Sequence, residues 1–374
     1  MTLAEPLRLA GRLDGQRMGA VSVVNARPLA ARVLVGRPVA QVLQLVPALF
    51  SLCGRAQALA AAAACAAAGA PGVVLAEPWA QERAIAAETA QEHLWRLMLD
   101  WPALFGHTPR RERFAALHRR LGALGADARA AFELGGDLLD LVAVELVAGL
   151  FQSMREPHSL SEFVERARRG GNIGAALADI IEMGPSAAAG EAVPLLPALS
   201  AGAWAHELGG VPPAAFCAAP TFAGRSHETG ALARHADAVL VRVLVERGHR
   251  IAARLFARVV DLADCASRLR HPLASDMPRL LDAAAFGPDA GLACVETARG
   301  ILLHAVRLDG ERVVDYAIVA PTEWNFHPEG ALVREGAGWE APTREAALRR
   351  LRALALSLDP CVDFEIVLEE NVDA

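Results

Sequence analysis

The sequence predicts an α+β fold, with a central helical bundle and small antiparallel β elements at both ends. Three observations predict it. Asp14-Gly15 and Asp309-Gly310 each sit between two apolar runs, which marks a tight hairpin turn. Between those hairpins, apolar and charged residues recur at helical spacing. The helical stretches also carry start and stop signals, such as the capping box Ser159-Leu160-Ser161-Glu162 and the Asp359-Pro360 stop.

In chain order, the first hairpin is expected over Leu7 to Val24. Val39 to Ala68 is helical in composition, broken around Pro47 and Cys53-Gly54, and stopped at Gly69-Ala70-Pro71-Gly72. Residues 78–200 read as a run of helices, with Ala80–Leu99 and Pro109–Leu124 the clearest. Glu92-His93 and Trp95 fall there on a face expected to be solvated or at the core edge, with a partner-docking face as the alternative, and Gly170-Gly171 should end a helix. Residues 184–235 are rich in Gly, Pro, Ala and Ser and predict an irregular connection. Ala236–Leu269 returns to helix, with Val239, Leu240, Val243 and Leu244 on one side. Strands Ile301–Leu308 and Arg312–Val319 follow, and positive φ is expected at both residues of Asp309-Gly310. Thr343 opens a last helix whose apolar stripe is Leu348, Leu351, Ala355 and Leu358.

A chain of 374 residues can bury a sizeable core, and the expectation is one domain over 1–374. It divides into an N-terminal region (1–75), a helical middle (76–285) and a C-terminal region (286–374). The net charge of −6 and pI near 6.0 give no electrostatic case for nucleic acid. The most apolar window, Val39 to Gly69, contains Gln41, Gln44, Pro47, Arg55 and Gln57. A membrane span needs ~20 strongly apolar residues, so this window is expected to be buried helix. Residues 1–24 lack the apolar core of a secretory signal, and the six cysteines form no Cys-x-x-Cys pair. A cytoplasmic location without a disulfide framework is therefore expected.

Four segments carry candidate chemistry. They are Leu52-Cys53-Gly54-Arg55, Glu296-Thr297-Ala298-Arg299-Gly300, Ala320-Pro321-Thr322-Glu323-Trp324-Asn325 and Leu358-Asp359-Pro360-Cys361. The second and third flank one predicted hairpin, so Arg299 and Thr322 should meet at one end of a sheet. Taken singly, each has a plainer reading. A lone cysteine is most often a small buried hydrophobe, an arginine before a strand is a surface charge, and Pro-Thr is a loop. Glu296 is expected to ion-pair with Arg299. Cys65, Cys217, Cys265 and Cys294 read as buried structural residues, and neither His304 nor His327 reads as a ligand.

In order, these segments resemble motifs of the nickel–iron hydrogenase large subunit. Arg8-Leu9-Ala10-Gly11-Arg12 stands where that family opens with Arg-Ile-Glu-Gly-His. The stretch from Val295 to Cys361 is similar in order and spacing to its glutamate-alanine-proline-arginine-glycine, Pro-Thr-Thr-Trp-Asn and Asp-Pro-Cys segments. Trp324-Asn325 after Pro321-Thr322 is the most specific part, while residues 75–285 show no resemblance. A hydrogenase-large-subunit-like fold is what this implies. The departures are as informative. The second cysteine of each family pair, which bridges nickel and iron, falls at Ala56 and Phe364. The proton-relay glutamate falls at about Ala31, and the second metal's ligands fall at Ala10 and Val367. That last position is also the family's processing site, so cleavage is not expected. The retained Cys53 and Cys361 match cysteines that bind nickel terminally.

Two thiolates cannot hold a bridged dinuclear centre, so neither nickel nor hydrogenase activity is expected. The losses at Ala10 and Val367 remove the expectation of magnesium, and the lack of a Cys-x-x-Cys pair that of a thiol oxidoreductase. A low-spin iron carrying cyanide and carbon monoxide needs fewer protein ligands. The resemblance implies Cys53 and Cys361 as its ligands, in a shifted pose or through one thiolate only. It also implies Arg299, Pro321 and Thr322 around its cyanides. The set of survivors and losses resembles the HupK/HoxV group of hydrogenase accessory proteins. That implies a scaffold for a transient Fe(CN)2(CO) fragment, with a HypC-type chaperone, the hydrogenase large-subunit precursor and the maturation complex as partners. The alternative is a metal-free chaperone that mimics the large subunit.

Overall fold

Both hairpins form where the Asp-Gly dipeptides place them. In the computed structural model, which describes residues 6–25, 30–50, 52–147, 159–186 and 192–370, β1 (Leu7–Asp14) pairs antiparallel with β2 (Arg17–Val24). The turn differs from expectation: Gly310 has φ +58°, whereas neither Asp309 nor Glu311 is at positive φ. Glycine thus occupies the first central position of the turn, and the aspartate closes the strand.

Helix α1 (Val39–Leu49) keeps Pro47 inside it and ends at Phe50. Helix α2 (Gly54–Ala67) then starts with Cys53 as its N-cap residue and stops before Gly69, at φ +80°. Helix α3 (Pro78–Trp95) begins the helical middle, and proline at its first position fits an N-terminus. Ser159 caps its helix as expected, by accepting a hydrogen bond from the Glu162 amide. Gly170-Gly171 ends that helix and at once starts the next, Gly171–Glu182. The connection over 184–235 holds the short helices Ala201–Leu208, Ala214–Ala218 and Ala231–Arg234, while residues 187–191 lie outside the described residues.

The helix expected over 236–269 is two helices, Val239–Glu246 and Arg250–Arg270, divided at Gly248 with φ +77°. Its first part buries Val241 and Leu244 and leaves Val239 46% exposed, so the apolar stripe lies one face over from the expected one. Arg250–Arg270 is the central strut. Arg250, Arg254, Arg258 and Asp261 are all buried along it, each paired with opposite charge.

The C-terminal region is richer in strand than the sequence predicts. Strands β3 (Leu281–Gly287), β4 (Ala290–Thr297), β5 (Gly300–Asp309) and β6 (Arg312–Val319) form one antiparallel meander. Successive residues of a strand point to opposite faces, and here both faces are covered. Ile301, Leu303 and Ala305 enter a core cluster with Trp204 and Trp324, whereas Leu302, Val306 and Leu308 enter the main core. That main core includes α2, whose alanines pack so tightly on β4 that a Cβ at Gly291 would lie 2.2 Å from the Ala64 carbonyl oxygen. The last helix, Arg344–Leu358, is capped by Thr343 and stops at Asp359, which takes the left-handed conformation (φ +55°) ahead of Pro360. Strand β7 (Phe364–Glu370) then runs parallel to β1, an element with no counterpart in the expected fold.

Candidate functional site

The four chemistry-bearing segments meet at one end of the meander. Arg299 sits in the two-residue turn between β4 and β5, where Thr297 pairs with Gly300. Gly300 has φ +127°, and a Cβ there would lie 2.4 Å from the Thr229 side chain, so glycine is required beside Arg299. Pro321 and Thr322 follow β6 and open the helical turn Pro321–Asn325. Cys53 heads α2, and Cys361 follows the last helix. All five residues, Cys53, Arg299, Pro321, Thr322 and Cys361, line one cavity of about 730 Å³. The remaining wall is mostly apolar, from Phe50, Leu302, Pro212, Ala317 and Ile318, and Cys217 contributes a further thiol. None of the six cysteines is in a disulfide.

Trp324 and Asn325 explain how the turn is held. Trp324 is fully buried against Trp204, at 5.9 Å between ring centroids. Asn325 accepts a hydrogen bond from the Thr229 amide (3.0 Å) and donates to the carbonyls of Arg299 (3.1 Å) and Leu358 (3.4 Å). One amide side chain thus joins three segments that carry the site.

The arginine's partners differ from the expected one. Glu296 pairs with Arg234 (2.7 Å), and Arg299 donates instead to Glu92 of α3 (2.6 Å). Of the α3 residues expected on a solvated or core-edge face, Trp95 is 40% exposed, His93 is buried against Asp261 (2.6 Å) and Glu92 points into the site. Glu88, Glu92 and Arg96 follow one another along it at four-residue spacing. Arg96 and Arg258 both grip Asp359, at 2.7 and 2.8 Å, and the Arg299 Nε lies 3.7 Å from the same carboxylate. Burial alone would raise the Asp359 carboxyl. The guanidinium groups of Arg96, Arg258 and Arg299 outweigh that and hold it far below the usual carboxylate range. The buried Arg299 Nε has no hydrogen-bond partner among the described residues.

The cavity thiols of Cys361 and Cys53 are held differently. Thr322 donates its hydroxyl to the Cys361 Sγ (3.1 Å) and accepts from the Cys361 amide (3.3 Å). Cys53 has the Gln57 Nε2 at 3.7 Å. Burial pushes the Cys53 thiol up to about 12, helped by neighbouring Cys361 and opposed by Arg299. Glu88 accepts the Arg55 and Ala56 amides at 2.9 Å each, capping the start of α2. Ala31 lines the cavity, and Ala56 is buried behind Cys53. Ala10 and Val367 are register partners across β1 and β7, which brings the two positions together with no ligand atom on either side chain. His304 is buried between Tyr316 and Gln57. Gln57, Glu88, Glu92, Arg96 and Arg258 are site residues that sequence reasoning missed.

This is the fold of a nickel–iron hydrogenase large subunit. The Ni-Fe-Se hydrogenase of D. vulgaris Hildenborough superposes with a TM-score of 0.61 at 14% identity, over 93% of this chain and 94% of that one. Residues 213–363 match the family described as nickel-dependent hydrogenase. Two further relatives are similar over nearly their whole length. The hydrogenase expression/formation protein HoxV of Cupriavidus necator is 32% identical, covering 99% of this chain and 98% of that protein. The hydrogenase expression/formation protein HupK of Rhizobium leguminosarum bv. viciae is 31% identical, over 95% and 94% respectively. The chain belongs to the HoxV/HupK family of hydrogenase expression/formation proteins. Among the described residues, no helix is long and apolar enough to cross a membrane.

Proposed function

We propose that this protein is a maturation factor for a nickel–iron hydrogenase and holds the Fe(CN)2(CO) fragment as cargo before transfer to the apo large subunit. The names of its relatives support the role in hydrogenase formation. The carrier reading rests on one observation: the thiols of Cys53 and Cys361 and the buried Arg299 line one largely apolar cavity. Each part suits the cargo. Soft thiolates of Cys53 and Cys361 suit an iron whose three diatomic ligands already fill half its positions. Cyanide nitrogens in a dry cavity need donors, and Arg299 supplies them. Thr322 spends its hydroxyl on Cys361, so its part is to position that sulfur. Pro321 has no amide hydrogen and shapes the wall. Release passes the fragment to the large-subunit precursor, and a HypC-type chaperone of the maturation complex is the proposed donor.

Infrared spectroscopy on protein isolated anaerobically from a cell with the maturation machinery tests this. Cyanide and carbonyl bands are expected in the wild type and should be lost in Cys53→Ala and in Cys361→Ala. A wild type without bands in any such preparation overturns the carrier reading. A metal-free chaperone is the second reading, favoured by the Cys53 thiol, which burial keeps protonated at neutral pH when no metal is bound. Stoichiometric iron in that preparation decides for the carrier, and its absence decides for the chaperone.

A further inference from the structure

Three buried polar side chains have no role in the reading above. Gln57 on α2, His304 on β5 and Tyr316 on β6 are 2%, 0% and 5% exposed. They form one line that ends at Cys53. The Tyr316 hydroxyl lies 2.8 Å from His304 Nδ1, His304 Nε2 lies 2.8 Å from Gln57 Oε1, and Gln57 Nε2 lies 3.7 Å from Cys53 Sγ. Burial pushes the His304 ring down to about 3, so it is neutral and carries one N–H.

A neutral imidazole between a hydroxyl and an amide allows two directions of donation. In one, Tyr316 donates to Nδ1, the Nε2–H donates to the Gln57 carbonyl oxygen, and the Gln57 amide donates to sulfur. In the other the amide is flipped and every donor turns round, so that the Cys53 S–H donates and the Tyr316 oxygen accepts. The Tyr316 hydrogen then has no acceptor among the described residues. Each direction leaves the hydrogen at one end of the line without a partner there, the Cys53 S–H in the first and the Tyr316 O–H in the second. A thiol is a weak donor and a phenol a strong one, so the first direction costs less.

We propose that Gln57, His304 and Tyr316 form a directed hydrogen-bond chain that holds Cys53 as an acceptor, with Gln57 the positioning residue for that sulfur. Its use rests on the carrier reading, because a metal-bound thiolate only accepts. A donor on the thiolate also draws electron density from the iron, which weakens back-donation to carbon monoxide.

Two measurements test the chain on the full-length protein. In the metal-free protein, 15N-histidine NMR reads the His304 tautomer, with the signal assigned by its loss in His304→Gln. A protonated Nε2 and bare Nδ1 are expected, and a protonated Nδ1 overturns the chain's direction. In cargo-loaded protein, Gln57→Leu should keep the carbonyl band and shift it to lower wavenumber. Tyr316→Phe leaves Gln57 in place, and should give a smaller shift of the same sign; it also serves if Gln57→Leu fails to fold. An unmoved carbonyl band in a folded, loaded variant overturns the proposal. If the wild type shows no bands, the carrier reading fails, and the tautomer still decides the direction.

Discussion

Two ends of the cavity hold their cysteines by different physics. Cys361 stands two residues beyond Asp359, whose carboxylate is gripped by Arg96 and Arg258, and its sulfur takes a hydroxyl donor from Thr322. Cys53 stands at the head of an alanine-rich helix, with one amide at 3.7 Å and the acidic Glu88 nearby. The first is placed by charge and hydrogen bonds, whereas the helix that carries the second is placed by how closely α2 packs on the sheet. The two sulfurs therefore meet different partners even in one cavity, a hydroxyl at Cys361 and a side-chain amide at Cys53.

Charge removal should break the Cys361 end most severely. Asp359→Ala leaves Arg96 and Arg258 buried and facing each other without their shared partner. Breaking a buried ion pair from one side costs about 3–5 kcal/mol. Denaturant unfolding of the metal-free protein should show a loss of that size. A loss below about 1 kcal/mol, the scale of an exposed pair, would mean that Asp359 does not organise this end.

How much of this was legible in the sequence divides along the same line. The hairpin turns, the Ser159 and Thr343 caps and the meeting of Arg299 with Thr322 all follow from local signals: a turn dipeptide, a cap residue, a strand of countable length. The ion pairs do not. Arg299 meets Glu92 across 207 residues and Arg96 meets Asp359 across 263. No local pattern encodes such pairings. A charged stripe on a helix also looks the same whether it faces water or a buried partner, so nothing local in α3 marks Glu92 as the partner of Arg299. The helix Arg250–Arg270 repeats the lesson, because its buried arginines mimic an exterior face. Strand β7 escaped because parallel pairing with β1 joins the two ends of the chain.

The Cys53 end should yield to crowding instead. A Cβ at Gly291 would meet backbone on α2, 2.2 Å from the Ala64 oxygen and 2.5 Å from the Ala68 nitrogen. Backbone cannot rotate away, so Gly291→Ala must push α2 off β4. Overpacking of this kind costs about 1–3 kcal/mol. Unfolding experiments should place Gly291→Ala between wild type and Asp359→Ala. If it is as stable as wild type, close packing of α2 is not what fixes Cys53.

The smallest effect sharpens the contrast through pH. Cations hold Asp359 low, whereas burial holds the Glu88 carboxyl above its usual range, with the Arg55 and Ala56 amides only partly opposing the rise. A carboxyl raised in the folded state binds its proton more tightly there than in the unfolded chain. Its contribution is then fully present below the unfolded value of about 4.3 and is lost as pH rises through the folded one. Glu88→Gln removes that titration and keeps one carbonyl acceptor for the α2 amides, so at neutral pH it should cost less than about 1 kcal/mol. As pH falls from 7 toward 4.3, wild type should gain stability relative to Glu88→Gln, read as a widening difference in denaturant midpoint. A difference that stays flat, or narrows, would place Glu88 among the cation-held carboxylates and erase the distinction between the two ends of the cavity.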